Sequence, residues 1–467
     1  MKLVSLLTLL VAASSAVLHA QQQPNVLFLI VDDLRPELGA YGSEVKTPQM
    51  DALAERGQLF SRAYCNVPVC GASRASFMTG IRPGRHRYIN YHTRADEHTP
   101  DAVPVSQAFQ EAGYTTVSYG KVFHNGNDFS ETWDEDGSPD IEGTWRNYLL
   151  PENLEMDKAP DTRGPAFESY DGDKKYKDEL LADMAIARLR EFAESGEPFF
   201  LATGFVKPHL PFNAPKEYWD LYDPEAIALP DNYERYPGIP GAAYHNFGEL
   251  RAYSGVPRQN ILPEEYARKL IHGYYAATSY VDAQIGRVLD ELDALGMREN
   301  TVVVLIGDHG YNLGEHTLWC KHCNFDHAMH VPMIWDIPHA PDGIRIDALV
   351  EFIDIYPTLL HLTGIDGPQD QLDGTSLVPL IQDPEAEGRG FIISKYHNGI
   401  SIRTDQYLYT EWQKRNTGET YAQTLFDLHA DPMETNNLAE APTHQETVAE
   451  LAAMLRANWG EDFEKRR

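Results

Sequence analysis

Apolar runs that stop abruptly at charged side chains recur along the chain. Four of them have the length of a strand and cover residues 25–31, 114–119, 199–205 and 301–306. A run without polar alternation is typical of a strand that is buried on both faces, as in a parallel sheet. The charged residues that follow these runs are Asp32, Asp33, Lys121, Lys207, Asp308 and His309.

Helical patterns lie between the predicted strands. One begins with Thr47 as N-cap and Pro48 in the first turn and ends at Gly57, and two longer ones cover residues 177–195 and 263–295. Alternating strands and helices predict an α/β fold with a large, mostly parallel sheet flanked by helices. Ligands bind such sheets outside the carboxyl ends of the strands, so the charged strand ends should meet at one site.

The pattern changes in the last fifth of the chain. Short strand patterns at residues 391–394, 400–403, 407–412 and 425–428 precede a helical pattern at 445–458. We predict one domain over residues 21–380, which carries the site, and a C-terminal α+β subdomain over 381–467 with an antiparallel sheet and one helix. Residues 126–175 and 213–260 are rich in Gly, Pro, Asp and Tyr without clear periodicity, and we expect long loops over the site.

The start of the chain carries a different apolar run. Lys2 precedes apolar residues 3–13 and small residues up to Ala20, which is typical of a secretory signal peptide over residues 1–20. The run is too short to cross a bilayer, and the alternative is a buried first helix. We expect an exported protein, periplasmic or secreted, that is not held in a membrane.

Composition and charge exclude several classes of protein. Of the 467 residues, 42% are hydrophobic and 23% are charged, as in a folded soluble protein. The 39 Lys and Arg residues against 70 Asp and Glu residues give a net charge of −31, which repels nucleic acid and anionic membranes. Four cysteines are too few for a disulfide scaffold, so Cys65, Cys70, Cys320 and Cys323 should act locally.

Three carboxylates at two strand ends indicate a metal site. Asp32, Asp33 and Asp308 should lie together, and this much negative charge is tolerable only around a cation. Oxygen ligands favour Ca²⁺ or Mg²⁺, whereas the imidazole of His309 would also suit Mn²⁺ or Zn²⁺. The alternative for Asp32 and Asp33 is that they cap the next helix.

The segment at residues 70–80 is the most specific in the sequence. It reads Cys-Gly-Ala-Ser-Arg-Ala-Ser-Phe-Met-Thr-Gly and resembles the signature of the type I, formylglycine-dependent sulfatases, Cys-x-Pro/Ala-x-Arg followed by a Thr-Gly helix end. The resemblance implies an alkaline-phosphatase-like fold. It also implies that a formylglycine-generating maturation enzyme oxidises Cys70 to formylglycine, and that the hydrate of this formylglycine is the nucleophile. Without the motif, Cys70 would be interpreted as a buried apolar cysteine. Ala72 stands where most members of the family have Pro.

Three further segments resemble the iduronate-2-sulfatases within that family. They cover residues 120–124, 207–212 and 307–326. The likeness implies one Ca²⁺ site formed by Asp32, Asp33, Asp308, His309 and the modified Cys70. It also implies that the sulfate is surrounded by Arg74, Lys121, His124, His209 and Lys321.

The chemistry of sulfate ester hydrolysis agrees with these residue types. Arg74, Lys121 and Lys321 would offset the charge of the sulfate as it shifts in the transition state. His209 would protonate the leaving oxygen and His124 would act as base in the collapse of the sulfated intermediate, although the two roles could be exchanged.

Two pairs of residues near this set have open roles. Lys207 and His322 would either contact the substrate or support the site through salt bridges. Cys320 and Cys323 flank Lys321 and could be a strained disulfide, two thiols or a fortuitous pair, since a zinc site would need two more ligands.

The leading hypothesis is therefore exo-type hydrolysis of sulfate monoesters on a sulfated carbohydrate, such as a uronate-containing glycan. A phosphomonoester or phosphonate hydrolase of the same fold is an alternative, because fold does not fix function. A two-metal version of that chemistry would require a second cluster of Asp and His ligands. A protein that binds sulfated sugar without catalysis is a third hypothesis, and it requires an unmodified Cys70.

Overall fold

An eight-stranded sheet forms the centre of the computed structural model, which describes residues 23–160 and 162–459. Numbered along the chain, the strands are β1 (Asn25–Val31), β2 (Gln58–Tyr64), β3 (Thr115–Gly120), β4 (Glu135–Gly137), β5 (Phe167–Tyr170), β6 (Phe199–Phe205), β7 (Phe212–Pro215), β8 (Thr301–Gly307), β9 (Asn312–Leu313), β10 (Trp319–Cys320), β11 (His330–Asp336), β12 (Ile344–Glu351), β13 (Phe391–Tyr396), β14 (Gly399–Thr404), β15 (Tyr407–Gln413) and β16 (Thr420–Asp427). The α-helices are α1 (Pro48–Arg56), α2 (Cys70–Thr79), α3 (Ala95–His98), α4 (Val105–Glu111), α5 (Pro151–Lys158), α6 (Lys177–Ser195), α7 (Lys216–Trp219), α8 (Gly248–Arg251), α9 (Glu264–Ala294), α10 (Asp326–Met329), α11 (Ile355–Thr363), α12 (Val378–Gln382) and α13 (Gln445–Trp459).

The large sheet is mostly parallel, as predicted. Its strand order is β12-β2-β11-β8-β1-β6-β3-β4, and β11 pairs antiparallel with both of its neighbours while the other pairs are parallel. The four predicted strands are confirmed as β1, β3, β6 and β8, which lie side by side in the middle of the sheet. Strands β2, β4, β11 and β12 extend the predicted sheet on both sides. The pattern of charged strand ends does not reveal β11, because an antiparallel strand carries its carboxyl end to the opposite edge.

Helices cover both faces of the sheet. On β1, Val26, Phe28 and Ile30 pack into one core cluster, which includes α2, α4 and α11. The alternate residues of β1 pack into a second cluster with α1, α6 and α9. Every residue of β1 is buried, which explains why its sequence is apolar without alternation.

The predicted helices are confirmed as α1, α6 and α9, but the start of α1 differs from the expectation. Thr47 occupies the N-cap position, yet its hydroxyl donates to Asp51 Oδ1 at 3.0 Å instead of accepting from the helix backbone. The carboxylate of Asp282 on α9 accepts from the backbone N–H groups of Gln49 at 3.2 Å and Met50 at 2.8 Å. Asp282, which is distant in sequence, therefore caps α1 and connects it to α9 through hydrogen bonds.

The C-terminal part has the predicted antiparallel sheet and helix. Strands β13, β14, β15 and β16 pair in sequence order. Helix α13 places Val448, Leu451 and Leu455 against Ile393 and Ile402 of the sheet. The domain boundary near residue 380 stays a prediction.

The regions expected to be long loops contain more regular structure than predicted. Residues 126–175 contain α5 and β5, and residues 213–260 contain α7, α8 and most of β7. Strands β5 and β7 pair with each other in parallel and join the two regions. These elements are too short to produce a hydrophobic period in the sequence.

The predicted signal peptide at residues 1–20 lies outside the described residues. Within residues 23–160 and 162–459, none of the helices combines the length and the apolar composition required to span a bilayer. Export of the chain stays a prediction.

Candidate active site

The carboxyl ends of β1 and β8 bring three aspartates together. Val31, the last residue of β1, pairs with Gly307 at the end of β8, so Asp32 and Asp33 follow directly beside Asp308. The backbone N–H of Asp33 donates to Asp308 Oδ1 at 3.0 Å, and all three side chains are fully buried. Burial raises the pKa of Asp33 and raises that of Asp308 to about 7.

Cys70 lies next to these carboxylates as the first residue of α2. Its Sγ is 3.1 Å from His309 Nε2, and His309 Nε2 is 3.4 Å from Asp33 Oδ1. One ligand atom from each of Asp32, Asp33, Cys70 and His309 lies within 4.8 Å of the others. Asp308 flanks this group, with Oδ1 3.5 Å from His309 Nε2. Clustered ligand atoms of this kind fit a divalent cation.

Two lysines contact the carboxylates. Lys121, which follows β3, contacts Asp32, and Lys321, which follows β10, lies 2.9 Å from Asp33 Oδ1. Burial alone would disfavour a thiolate, but Lys121, Lys321 and His309 hold the pKa of Cys70 well below its usual range. The electrostatic field at residue 70 therefore favours a negatively charged oxygen or sulfur.

Arg74 lies one helical turn after Cys70 and is completely buried. Its Nε donates to Asp308 Oδ2 at 2.9 Å and its Nη2 donates to Asp32 Oδ1 at 3.3 Å. Its Nη1 donates to the carbonyl oxygens of Lys121 and Val122. The guanidinium therefore binds two of the three carboxylates, and its expected contact with sulfate stays a prediction.

The two predicted acid–base histidines lie in different electrostatic environments. His209 Nε2 is 3.9 Å from Asp33 Oδ2, and although burial opposes its charged form, Asp33 raises the pKa of His209 to about 10. Burial, together with Lys121, lowers the pKa of His124. His124 Nδ1 is buried without a hydrogen-bond partner. At neutral pH, these shifts favour the protonated form of His209 and the neutral form of His124.

Glu249 on α8 is a member of the site that the sequence analysis missed. One oxygen, Oε1, is 3.0 Å from both His209 Nε2 and Lys321 Nζ. Asp33, His209 and Glu249 form a second group of ligand-type atoms within 4.8 Å of one another. Glu249 lies in a region without periodicity, so no local pattern distinguishes it from the other acidic residues.

The structure also clarifies the residues with open roles. Lys207 Nζ donates to the carbonyl oxygens of His209 at 3.0 Å and Pro211 at 2.6 Å, which supports the segment that carries His209. His322 Nδ1 lies 3.9 Å from Glu249 Oε2. Cys320 and Cys323 are buried free thiols, which matches the option of two thiols and not that of a disulfide.

Fold and site together define an alkaline-phosphatase-like hydrolase, in which Cys70 begins a helix beside buried carboxylates at the carboxyl edge of the parallel strands. The chain belongs to the sulfatase family, whose model matches residues 24–365. A model described as N-sulphoglucosamine sulphohydrolase, C-terminal, matches residues 314–459. The protein is therefore a sulfuric ester hydrolase.

Known proteins similar to this chain agree with that membership and with the predicted resemblance. Iduronate 2-sulfatase from Homo sapiens is 31% identical, with 89% of this chain and 90% of that protein covered. A sulfatase from Formosa agariphila is 31% identical, with 93% and 86% covered. The solved structure of a phosphonate monoester hydrolase from Silicibacter pomeroyi superposes with a TM-score of 0.77 at 25% identity, with 93% and 95% covered.

Proposed function

We propose that this sulfatase removes sulfate esters from the ends of uronate-containing saccharides, with formylglycine at residue 70 as the source of the nucleophile. The observation that carries the proposal is the position of Cys70 Sγ, which lies among buried carboxylates and faces the cations of Lys121 and Lys321. The formylglycine hydrate would supply a hydroxyl nucleophile to the sulfur atom. The field that favours a thiolate at this position would equally favour the alkoxide of that hydrate.

The proposed cofactor is one Ca²⁺ held by Asp32, Asp33, Asp308 and His309 together with modified residue 70. Bound there, the cation would lower the pKa of the hydroxyl at residue 70 and offset charge on the sulfate. The carboxylate oxygens and their mutual proximity support this assignment.

The cations of the chain have separate roles in the proposal. Lys121 and Lys321 reach the site from β3 and β10 and would bind the sulfate oxygens as charge shifts toward the leaving oxygen. Four of the five N–H groups of Arg74 already donate to Asp32, Asp308 and two carbonyls, so we assign it to holding the carboxylates in place.

The proton transfers are assigned to the two histidines. His209, which is protonated at neutral pH, would donate its proton to the leaving sugar oxygen. His124, which is neutral, would accept the proton that is released when the sulfated intermediate collapses. Glu249 contacts both His209 and Lys321 and would hold these two side chains in position for the reaction.

The substrate class rests on the likeness to iduronate 2-sulfatase and on the regions that cover the site. Two side chains near His209 come from these regions. The ring of Trp145, within residues 126–175, is 5.2 Å from that of His209, and Glu249, within residues 213–260, contacts His209. A pocket narrowed by such residues would accept a chain end better than the interior of a polymer. We further propose that the chain is exported and is matured by a formylglycine-generating enzyme.

The direct test measures release of inorganic sulfate from a disaccharide with a 2-sulfated uronate at its end. The wild-type enzyme should release sulfate, and Cys70→Ala should lose activity by at least about 10³-fold. Cys65→Ala is the matched control, because Cys65 is also a buried free thiol but lies outside the cluster. A Cys70→Ala enzyme of wild-type rate would refute the proposal.

Phosphonate monoesters test the alternative suggested by the structural likeness to a phosphonate monoester hydrolase. The same leaving alcohol is supplied as a sulfate ester and as a phosphonate monoester. We expect kcat/KM to favour the sulfate ester. A preference for the phosphonate would assign the alternative function to this chain.

A further inference from the structure

An exposed tryptophan lies beside the proposed acid of the reaction. Trp145 is 44% exposed, whereas His209 is buried, and the centroids of the two rings are only 5.2 Å apart. A single exposed aromatic side chain is common on protein surfaces and needs no explanation by itself. The position of Trp145 next to His209 therefore carries meaning only if the fold holds the indole there.

Buried hydrogen bonds hold the backbone around Trp145 in place. The fully buried Asn213 donates from Nδ2 to the carbonyl oxygens of Arg146 at 3.0 Å and Asn147 at 3.3 Å. Because Asn213 directly follows the segment at residues 207–212, these bonds join the loop of the tryptophan to the segment that carries the histidine. The Asn147 side chain also accepts from the backbone N–H of the first residue of α6 at 2.6 Å. The loop and the histidine segment are therefore directly connected.

Neighbouring side chains also orient the indole. The guanidinium carbon of Arg146 lies over the ring of Trp145, 5.0 Å from its centroid, and Nη1 of this arginine is paired with Asp157 at 3.1 Å. The imidazole of His209 is nearly perpendicular to the indole, with an angle of 79° between the ring planes. A cation over a ring and an edge-to-face pair of rings are both favourable arrangements. These two contacts hold the indole while much of its surface stays in solvent.

The role assigned to His209 determines which part of a substrate lies next to this indole. A histidine that protonates the leaving oxygen comes within about 3 Å of that oxygen. The carbon skeleton attached to the same oxygen then lies within reach of a ring whose centroid is 5.2 Å from that of the imidazole. In a sulfated saccharide, this skeleton is the pyranose that bears the ester.

The chemistry of a pyranose suits an indole. The axial C–H groups of a pyranose form an apolar face, and an aromatic ring can cover this face without breaking a hydrogen bond of the hydroxyl groups. Sites for small molecules combine such aromatic side chains with a few polar groups that fix the orientation of the ligand. In the proposed function these polar groups are Lys121, Lys321 and His209.

We infer that Trp145 is the platform on which the pyranose that bears the scissile sulfate stacks. The inference rests on the proposed function, because it assigns the binding of the sugar ring to one residue of the same site. Trp145 is thereby a determinant of specificity for sulfate esters of sugars, since an anion without a ring cannot use this contact.

The test combines binding and turnover in the full-length Ca²⁺-loaded protein, with a disaccharide that has a 2-sulfated uronate at its end. Affinity is measured by calorimetry in the Cys70→Ala background, in which the substrate persists. Trp145→Ala should weaken binding about tenfold, and Trp145→Phe, which keeps a flat ring, should stay within about threefold of the parent. In the formylglycine-containing enzyme, Trp145→Ala should raise KM by a similar factor and lower kcat by less than about threefold.

Two controls separate stacking from a disturbed site. Inorganic sulfate supplies the anion without the sugar, and its inhibition constant should agree within about twofold between the wild-type and Trp145→Ala enzymes. Tyr421→Ala is the matched control variant, because Tyr421 is likewise an exposed aromatic residue, at 49%, but belongs to β16 of the C-terminal sheet. It should bind the disaccharide as tightly as the parent does.

The outcomes distinguish the two proposals. Unchanged affinity in Trp145→Ala, or a Trp145→Phe variant that binds as weakly as Trp145→Ala, would overturn the platform while the proposed function stands. A kcat that falls as far as the affinity, or an inhibition constant of inorganic sulfate that rises with it, would also overturn the platform, because Trp145 would then act through the catalytic group. If the wild-type formylglycine-containing enzyme releases no sulfate from the disaccharide, the proposed function fails, and the inference fails with it.

Discussion

At the scale of single residues, the site pairs each buried carboxylate with a cation. Asp32 contacts Lys121 and Arg74, Asp33 contacts Lys321, and Asp308 contacts Arg74. Glu249 adds one further negative charge beside Lys321. The proposed function adds a divalent cation and an anionic substrate to this arrangement of charges.

His209→Ala should separate substrates by their leaving groups. A sugar alkoxide needs a proton as it departs, whereas an activated aryl oxide does not. We expect kcat to fall by about 100-fold on a sugar sulfate and by less than about fivefold on a nitrophenyl sulfate. His124→Ala is the comparison variant, since its step follows departure and should slow both substrates. Equal losses for His209→Ala on the two substrates would remove His209 from the role of acid.

At the scale of elements, strand ends and helix starts position the chemistry. The β1 and β8 ends supply the aspartates, α2 starts at Cys70, and α8 brings Glu249 over the site. Strand ends and the 70–80 motif could be predicted because each depends on a local pattern of residues. Glu249 could not be predicted, because only the packing of a short helix brings its side chain to the site. The cap of α1 by Asp282 was unpredictable for the same reason, since the contact spans more than 200 residues.

Asp282 should give the free energy of unfolding a measurable pH dependence. Burial raises the pKa of Asp282 to about 7, against an ordinary value near 3.8. Between these values the unfolded chain releases the proton while the folded chain retains it, so this contribution to stability is lost as pH rises from about 4 through 7. Asp282→Asn cannot titrate and should show a flatter profile. Urea unfolding of both proteins at pH 5 and pH 8 checks this, and parallel profiles would contradict it.

At the scale of the whole molecule, the cations of the catalytic group belong to a strongly acidic chain. The net charge is −31, yet Lys121, Lys321 and Arg74 lie together at the catalytic group. The class of fold was predictable because buried parallel strands leave an unmistakable apolar pattern. The flanking strands β2, β11 and β12 were not, because their position in the sheet depends on long-range pairing.

Removal of the metal should affect the stability of the whole protein as well as activity. Without a cation, Asp32, Asp33 and Asp308 repel one another in a buried site, and a ligand that binds only the folded state stabilises it. A chelator should therefore abolish turnover and lower the thermal midpoint by several degrees, and added Ca²⁺ should restore both. Full activity and an unchanged midpoint in rigorously metal-free protein would show that the metal site is wrongly assigned.

The central claim is that formylglycine at residue 70 performs the hydrolysis of the sulfate ester. The most direct measurement compares several preparations of the same protein. In each preparation, mass spectrometry gives the fraction of the residue-70 peptide that carries the aldehyde, and an assay gives the rate of sulfate release. The account predicts that the rate is proportional to this fraction and extrapolates to zero for the unmodified thiol. A fully unmodified preparation that releases sulfate at the rate of a converted one would contradict it.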